Sequence, residues 1–281
     1  MKNSEAILER ARNVFFSQWE EMLRLRLLVL KRCEQEDIHD LRVASRRFRA
    51  TLKLLGPLCG NGSVPTLVKQ IRSLTRTLGD LRNLDEALAF FGAHTEQMDL
   101  LSGLMGRLAD QRELEQHEII KALEGFKAKK LDSLVRAVVA GLTMDCLRSL
   151  NMAPLPSYLS NTSISLFETI QALLPAALCF ENSEERHALR IAIKKWRYFL
   201  ETVSVILEQD YATPLEQLKK YQTLLGSMND MTVFGLLCRE QEEAGDEPGK
   251  VAQLLEDESK RHFEEFVVLA AAEPLRYSFL I

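Results

Sequence analysis

The sequence predicts an all-α protein made of two antiparallel four-helix bundles related by an internal duplication. Three observations carry this expectation. No run alternates β-branched and polar residues between hairpin turns. Apolar residues recur at helical spacing along most of the 281 residues. One stretch is also written twice: HDLRVASRRFRATLKLL at 39–55 returns as HALRIAIKKWRYFLETV at 187–203, displaced by 148 residues.

Taken in order, residues 4–36 read as one long helix with Ile7, Val14, Trp19, Met22, Leu23 and Leu30 as its apolar positions. The second helix holds the first copy of the repeat. At ~100° per residue, His39, Arg42, Arg46, Arg49 and Lys53 fall within roughly 80°, while Leu41, Ala44, Phe48, Leu52 and Leu55 fall opposite. At ~1.5 Å per residue the cationic stripe is roughly 21 Å long, which suits an extended anion better than a small one. Gly56-Pro57 stops this helix, and GNGSVP at 60–65 is a loop. A third helix runs from Thr66 to about Leu78 with Lys69, Arg72 and Arg76 on one face. Leu78-Gly79 ends it, and a fourth helix begins near DLRNLD at 80–85.

Residues 100–124 and 131–142 are further helical stretches. Pro154 and Pro156 mark 151–163 as the linker between an N-terminal half, 1–150, and a C-terminal half, 164–281, of one domain spanning 1–281. A helix from about Ser165 is bent or ended near Pro175. The second basic helix covers 184–208. The next starts at Pro214 and reaches Gly226, where Leu225-Gly226 matches Leu78-Gly79 at an offset of 147. Helices over 231–243 and 251–271, either side of a GDEPG turn at 245–249, complete the chain.

Net charge is −4 and the pI is about 5.9, where a nucleic-acid-binding domain would carry a high pI. The cations are concentrated in two stretches, so the field is focused rather than general. Five cysteines, Cys33, Cys59, Cys146, Cys179 and Cys238, form no CxxC pair and give no disulfide framework. The charged, amphipathic N-terminus is a poor secretory signal, and no apolar run reaches the ~18 residues of a membrane span. The expected location is cytoplasmic.

The duplication aligns Arg42 with Arg190, Arg46 with Lys194, Arg47 with Lys195, Phe48 with Trp196 and Arg49 with Arg197; Lys53 meets Glu201, so the second stripe is shorter. Like charges three and four residues apart weaken a helix unless an anion neutralises them. Arginine suits phosphate because its planar fork donates two parallel hydrogen bonds and stays charged. His39 and His187 open the two stripes as further donors. No catalytic motif of the GxxxxGK[ST], HExxH or GxSxG type is present. His94, His117 and His262 lack metal-ligand spacing, and Asp80, Asp85 and Asp230 read as helix caps rather than magnesium ligands. No cofactor and no metal are expected.

The two repeats, together with LGDLRNLD at 78–85 and LGSMND at 225–230, resemble the CHAD (conserved histidine α-helical domain) family over nearly the whole chain. The resemblance implies a pseudo-twofold pair of four-helix bundles, a basic groove between them and binding of inorganic polyphosphate. The family's basic positions fall on His39, Arg42, Arg46, Arg47 and Arg49, and on His187, Arg190, Lys194, Lys195 and Arg197; Lys53, Lys69, Arg72, Arg76, Lys219 and Lys220 extend and flank the groove. Asn83 and Thr232 depart from the family's pattern. The ExExK spacing of the companion CYTH domain occurs at Glu256, Glu258 and Lys260, but in a helical C-terminal stretch instead of an early β-strand. The chain thus resembles a stand-alone CHAD protein. The expected function is non-catalytic polyphosphate binding, with polyphosphate granules as a place of association. The competing readings are a phosphohydrolase or transferase acting on polyphosphate, and a nucleic-acid-binding helical protein. Against the last, Phe48 and Trp196 fall on the packing face and leave Tyr198 as the aromatic residue among the cations.

Overall fold

Helix α1, Lys2–Arg32, opens the computed structural model, which describes residues 2–60, 62–94, 101–149, 154–241 and 248–279. No glycine or proline stops it. Cys33 turns the backbone with φ of 51°, and Arg32 ties the corner by donating to both Asp37 oxygens at 3.0 and 2.6 Å. The single helix expected over 4–36 is therefore divided, and α2 is Gln35–Leu55. A 3-10 turn, Gly56–Cys59, follows the expected stop.

The next helix, α3, is continuous from Val64 to Gly92, and α9 is continuous from Ala212 to Glu240. The breaks expected at Leu78-Gly79 and Leu225-Gly226 do not occur. A mid-helix glycine costs about 1 kcal/mol relative to alanine. Here it is outweighed by apolar burial on both sides: Leu74, Leu78, Leu81 and Leu84 in α3, and Leu225, Met228 and Met231 in α9. Asp80, Asp85 and Asp230 accordingly lie within helices and cap none. Asp85 is buried and accepts from Arg112 of α4 (Leu101–Glu124) at 2.6 Å.

Helices α5 (Ala128–Gly141) and α6 (Met144–Ser149) lead out of the first half. A Cβ on Gly141 would come within 2.5 Å of the Cys59 carbonyl oxygen, so only glycine lets α5 approach the 3-10 turn this closely. Helix α7 spans Leu155–Ala177, so 155–163 is helix and not linker, and it starts ten residues before the expected Ser165. Pro156 sits in its first turn, where the missing N–H costs nothing. Its polar residues bond back along the helix, Thr162 to the Tyr158 carbonyl at 2.8 Å and Ser163 to that of Ser160 at 2.7 Å. Helices α8 (Ser183–Leu207) and α10 (Pro248–Ala272) lie close to expectation. Pro248 and Gly249 already belong to α10, and the rest of the expected 245–249 turn lies outside the described residues, as do 151–153.

Each half contributes four helices in sequence, α1–α4 and α7–α10, each helix packing on the next. Phe48 and Trp196, equivalent in the repeat, are both buried. Phe48 meets Phe15 and Trp19 at 5.2 and 5.4 Å, and Trp196 meets Phe167 and Phe199 at 5.8 and 5.4 Å. In the second half the C-terminal segment also returns to the core: Tyr277 stacks on Trp196 at 5.9 Å, and Phe279 meets Phe199 at 5.2 Å. The halves join through α1 and α2 on α8, and α3 on α9. The buried hydroxyls of Thr51 and Thr202 meet across the α2–α8 contact at 3.3 Å. Arg10 donates to the Ile206 carbonyl at 2.7 Å and pairs with Glu208 at 3.1 Å, closing the C-terminal end of α8.

Candidate anion-binding site

Because α2 and α8 pack side by side through small hydroxyl side chains, their cationic stripes meet. Arg42 and Arg46 of α2 and Arg190 and Lys194 of α8 are all half-buried and lie within electrostatic reach of one another. Burial, with Arg46 and Arg82 next, pulls the Arg42 guanidinium down to about 10. Burial lowers Arg190 as well, against the opposing pull of Asp230. Burial, then Arg190, Arg46 and Arg42, brings the Lys194 ammonium down to about 6. Three guanidinium groups and a lysine that gives up its proton near pH 6 are thus held together with little counter-charge, an arrangement that is costly and that nearby negative charge would relieve.

Gly79 and Gly226 explain how the two deepest arginines fit. The Nε of Arg42 lies 3.7 Å from where a Cβ of Gly79 would be, and the Nε of Arg190 lies 4.0 Å from the same point on Gly226. Each guanidinium therefore rests along a bare turn of the neighbouring helix. In both residues, and in Arg82, the buried Nε has no hydrogen-bond partner. That two repeat-related arginines share this feature marks it as built into the duplication.

The band extends along α2 through Arg49, half-buried and lowered by burial and by Arg46 and Arg72, to Lys53, lowered by burial and by Arg49, Lys195 and Arg72. Arg76 reaches it through Asp80, whose carboxyl is raised by burial while Arg76 and Arg42 pull it down. At the other end His39 lines a depression with Arg82 and Glu86, and the Nδ1 of His187 meets Asn229 at 2.7 Å. Both histidines are exposed.

Other expected residues are occupied elsewhere. Arg47 donates to Glu201 at 3.0 Å and lines a depression with Glu21 and Asp40, on the α1 side of α2. Arg197 donates to the other Glu201 oxygen at 2.8 Å and to Gln222 at 2.6 Å. Lys220 is held by Glu273 at 2.8 Å, beyond α10. Lys69 and Lys219 are exposed toward the N-terminal ends of α3 and α9.

Sequence reading missed Arg82 and the part played by Asp230. Arg82 donates to Asp230 at 3.5 Å and pairs with Glu86 at 3.2 Å. It lies six residues beyond Arg76, ~120° round the helix from the Lys69–Arg72–Arg76 face, so no periodicity pointed to it. Asp230 lies within reach of Arg190 and Lys194 as a resident counter-ion. Tyr198, the aromatic residue that the sequence places among the cations, stands beside Arg42, Arg49 and Arg190. Among the described residues no group of His, Cys, Asp and Glu is arranged to hold a metal ion, and no helix is long and apolar enough to cross a membrane.

A family model described as the CHAD domain matches residues 13–239. Among solved structures the chain is similar to the CHAD domain from the plant Ricinus communis, with a TM-score of 0.75 and 22% identity over 98% of this chain and 94% of that one. It is also similar to PptA from Streptomyces chartreusis, with a TM-score of 0.67 and 16% identity over 95% of this chain and 99% of that one. No curated protein matches the chain.

Proposed function

The chain belongs to the CHAD family, and on that footing we propose that it binds inorganic polyphosphate, without chemical change, in a basic groove whose two walls come from the two repeats. The observation that carries this reading is the meeting of Arg42 and Arg46 with Arg190 and Lys194. A linear chain of phosphates has the charge density and length to neutralise a band that continues to Arg49, Lys53 and Arg72. A single phosphate would leave most of it uncompensated.

A binding role is favoured over hydrolysis or transfer by the state of the carboxylates. Asp230 accepts from Arg82 and Asn229, and Glu201 accepts from Arg47 and Arg197, so both serve as counter-ions. Nucleic acid fits less well, because Phe48, Trp196 and Phe199 are buried and leave few rings, Tyr198 and Tyr158, beside the cations. The test is titration of the full chain with long polyphosphate and with single-stranded DNA and RNA at several salt concentrations, alongside an assay for released phosphate. Tight, steeply salt-dependent polyphosphate binding without phosphate release is expected. Phosphate release, or equal affinity for nucleic acid, would replace this reading.

A further inference from the structure

One end of the cationic band is not polar. Between α2, α7 and α8 lies a cavity of about 370 Å³ whose walls include Leu54, Tyr158, Leu166 and Phe199. Arg46, Arg49, Lys53, Lys194 and Lys195 also line it, and no carboxylate is among its described lining residues. A chain of inorganic phosphates has no use for such a wall, which gives it neither charge nor donors.

Three of the four hydroxyls along the wall are already committed, and the fourth belongs to Tyr198 beside the cations. Tyr158 donates to the Leu54 carbonyl at 2.7 Å, Thr162 to the Tyr158 carbonyl at 2.8 Å and Thr202 to the Tyr198 carbonyl at 2.8 Å. Away from Tyr198 and the cations, what faces the cavity is therefore aromatic ring, methyl and aliphatic surface. The volume lies within the range of pockets that hold small organic ligands, which are mostly apolar with a few convergent charged groups. Charge complementarity fixes the other half of the ligand as an anion.

We propose that this cavity binds the organic part of a phosphate ester, an aromatic or aliphatic group, while its phosphates lie on Arg46, Arg49 and Lys194. The inference rests on the reading of those three residues as phosphate contacts. It adds a second ligand class, organic diphosphates and triphosphates, to one end of the groove.

Titration calorimetry on the full chain with inorganic diphosphate, ADP and geranyl diphosphate tests it. Each has two phosphates, and the inorganic one carries the most charge. At least one ester should bind about tenfold tighter than inorganic diphosphate, since burying even part of an apolar group supplies that factor. The ADP and geranyl arms show whether the favoured group is a ring or a chain. Ala50→Leu on α2 and Thr162→Leu on α7 narrow the cavity from two sides. A variant that keeps the wild-type thermal melt should lose the preference for the ester and bind inorganic diphosphate within about twofold of wild type. Equal binding of all three diphosphates, or a preference that survives both substitutions, would overturn the proposal. Long polyphosphate titrated in parallel separates the two readings: affinity for it without ester preference removes only the cavity ligand, and ester preference without such affinity removes only the polyphosphate groove.

Discussion

Arg82 Nη1 lies 3.5 Å from Asp230 Oδ1, and this contact joins α3 of the first half to α9 of the second. The two residues are not repeat partners. With Gly79 matched to Gly226, Arg82 meets Asn229 and Asn83 meets Asp230. The duplication has diverged here into a complementary pair, and Asp230 also offsets Arg190 and Lys194. It does part of what a bound phosphate would do.

Asp230→Asn should therefore strengthen polyphosphate binding. Removing one negative charge from the band is worth about 1 kcal/mol, roughly fivefold in affinity. Arg82 and Asp230 are only 18% and 15% exposed and Asp230 offsets neighbouring cations, so the same change should also cost about 1–3 kcal/mol of stability. Titration calorimetry and urea unfolding read the two effects. Weaker binding in the variant would contradict the counter-ion role.

Lys194 gives the site a pH dependence. Burial, with Arg190, Arg46 and Arg42, lowers its folded pKa to about 6, while an unfolded lysine titrates near ~10.4. Between those values the unfolded chain holds more protons, so this residue's contribution to stability rises with pH above 6. An anion favours the charged form, so binding at pH 7.5 should take up close to one proton, and affinity should fall as pH rises from 6 to 8. Calorimetry in two buffers of different ionisation enthalpy measures the uptake. Lys194→Met should abolish it; uptake unchanged in that variant would assign it to another group.

Gly79 and Gly226 should tolerate a methyl and nothing larger. A Cβ on Gly79 would sit 3.7 Å from the Arg42 Nε, an ordinary contact, and alanine removes a helix penalty of about 1 kcal/mol. Gly79→Ala should raise the melting temperature and leave polyphosphate affinity within about twofold. Gly79→Leu should displace the guanidinium and weaken binding severalfold. Equal affinity in both variants would show that Arg42 does not need the bare turn.

Phe48 and Trp196 should anchor the two cores about equally. Each is buried against two or more rings, so Phe48→Ala and Trp196→Ala should each cost about 3–5 kcal/mol in urea unfolding. A near-neutral Trp196→Ala would mean that the returning C-terminal segment with Tyr277 refills the space.

The helices, the repeat and the cationic stripes were legible because burial on one face imposes a period that sequence records. The breaks were not. Gly79 and Gly226 read as stops, yet their role is tertiary: they make room for an arginine from another helix. Pro154 and Pro156 read as linker because proline marks a helix start as readily as a loop. Cys33 and Glu208 take φ of 51° and 55°, for which their residue types give no warning. Within the site, Arg42, Arg46, Arg190 and Lys194 were found from spacing, whereas the engagement of Arg47 and Arg197 by Glu201 depends on a contact between elements. The cavity beside Tyr158 is made by three helices and has no signature in any one of them.

The central claim is that the two repeats form one groove and not two half-sites. Calorimetric titration of Arg46→Glu and Lys194→Glu, each with short and long polyphosphate, tests it most directly. A long chain that touches both stripes gains from a high effective concentration at its second contact. Each single reversal should then lower affinity for long chains by more than about tenfold, narrow the gap between long and short chains, and flatten the dependence on salt. If each variant instead keeps the full wild-type affinity and binds half as many chains, the repeats act independently and the shared groove is wrong.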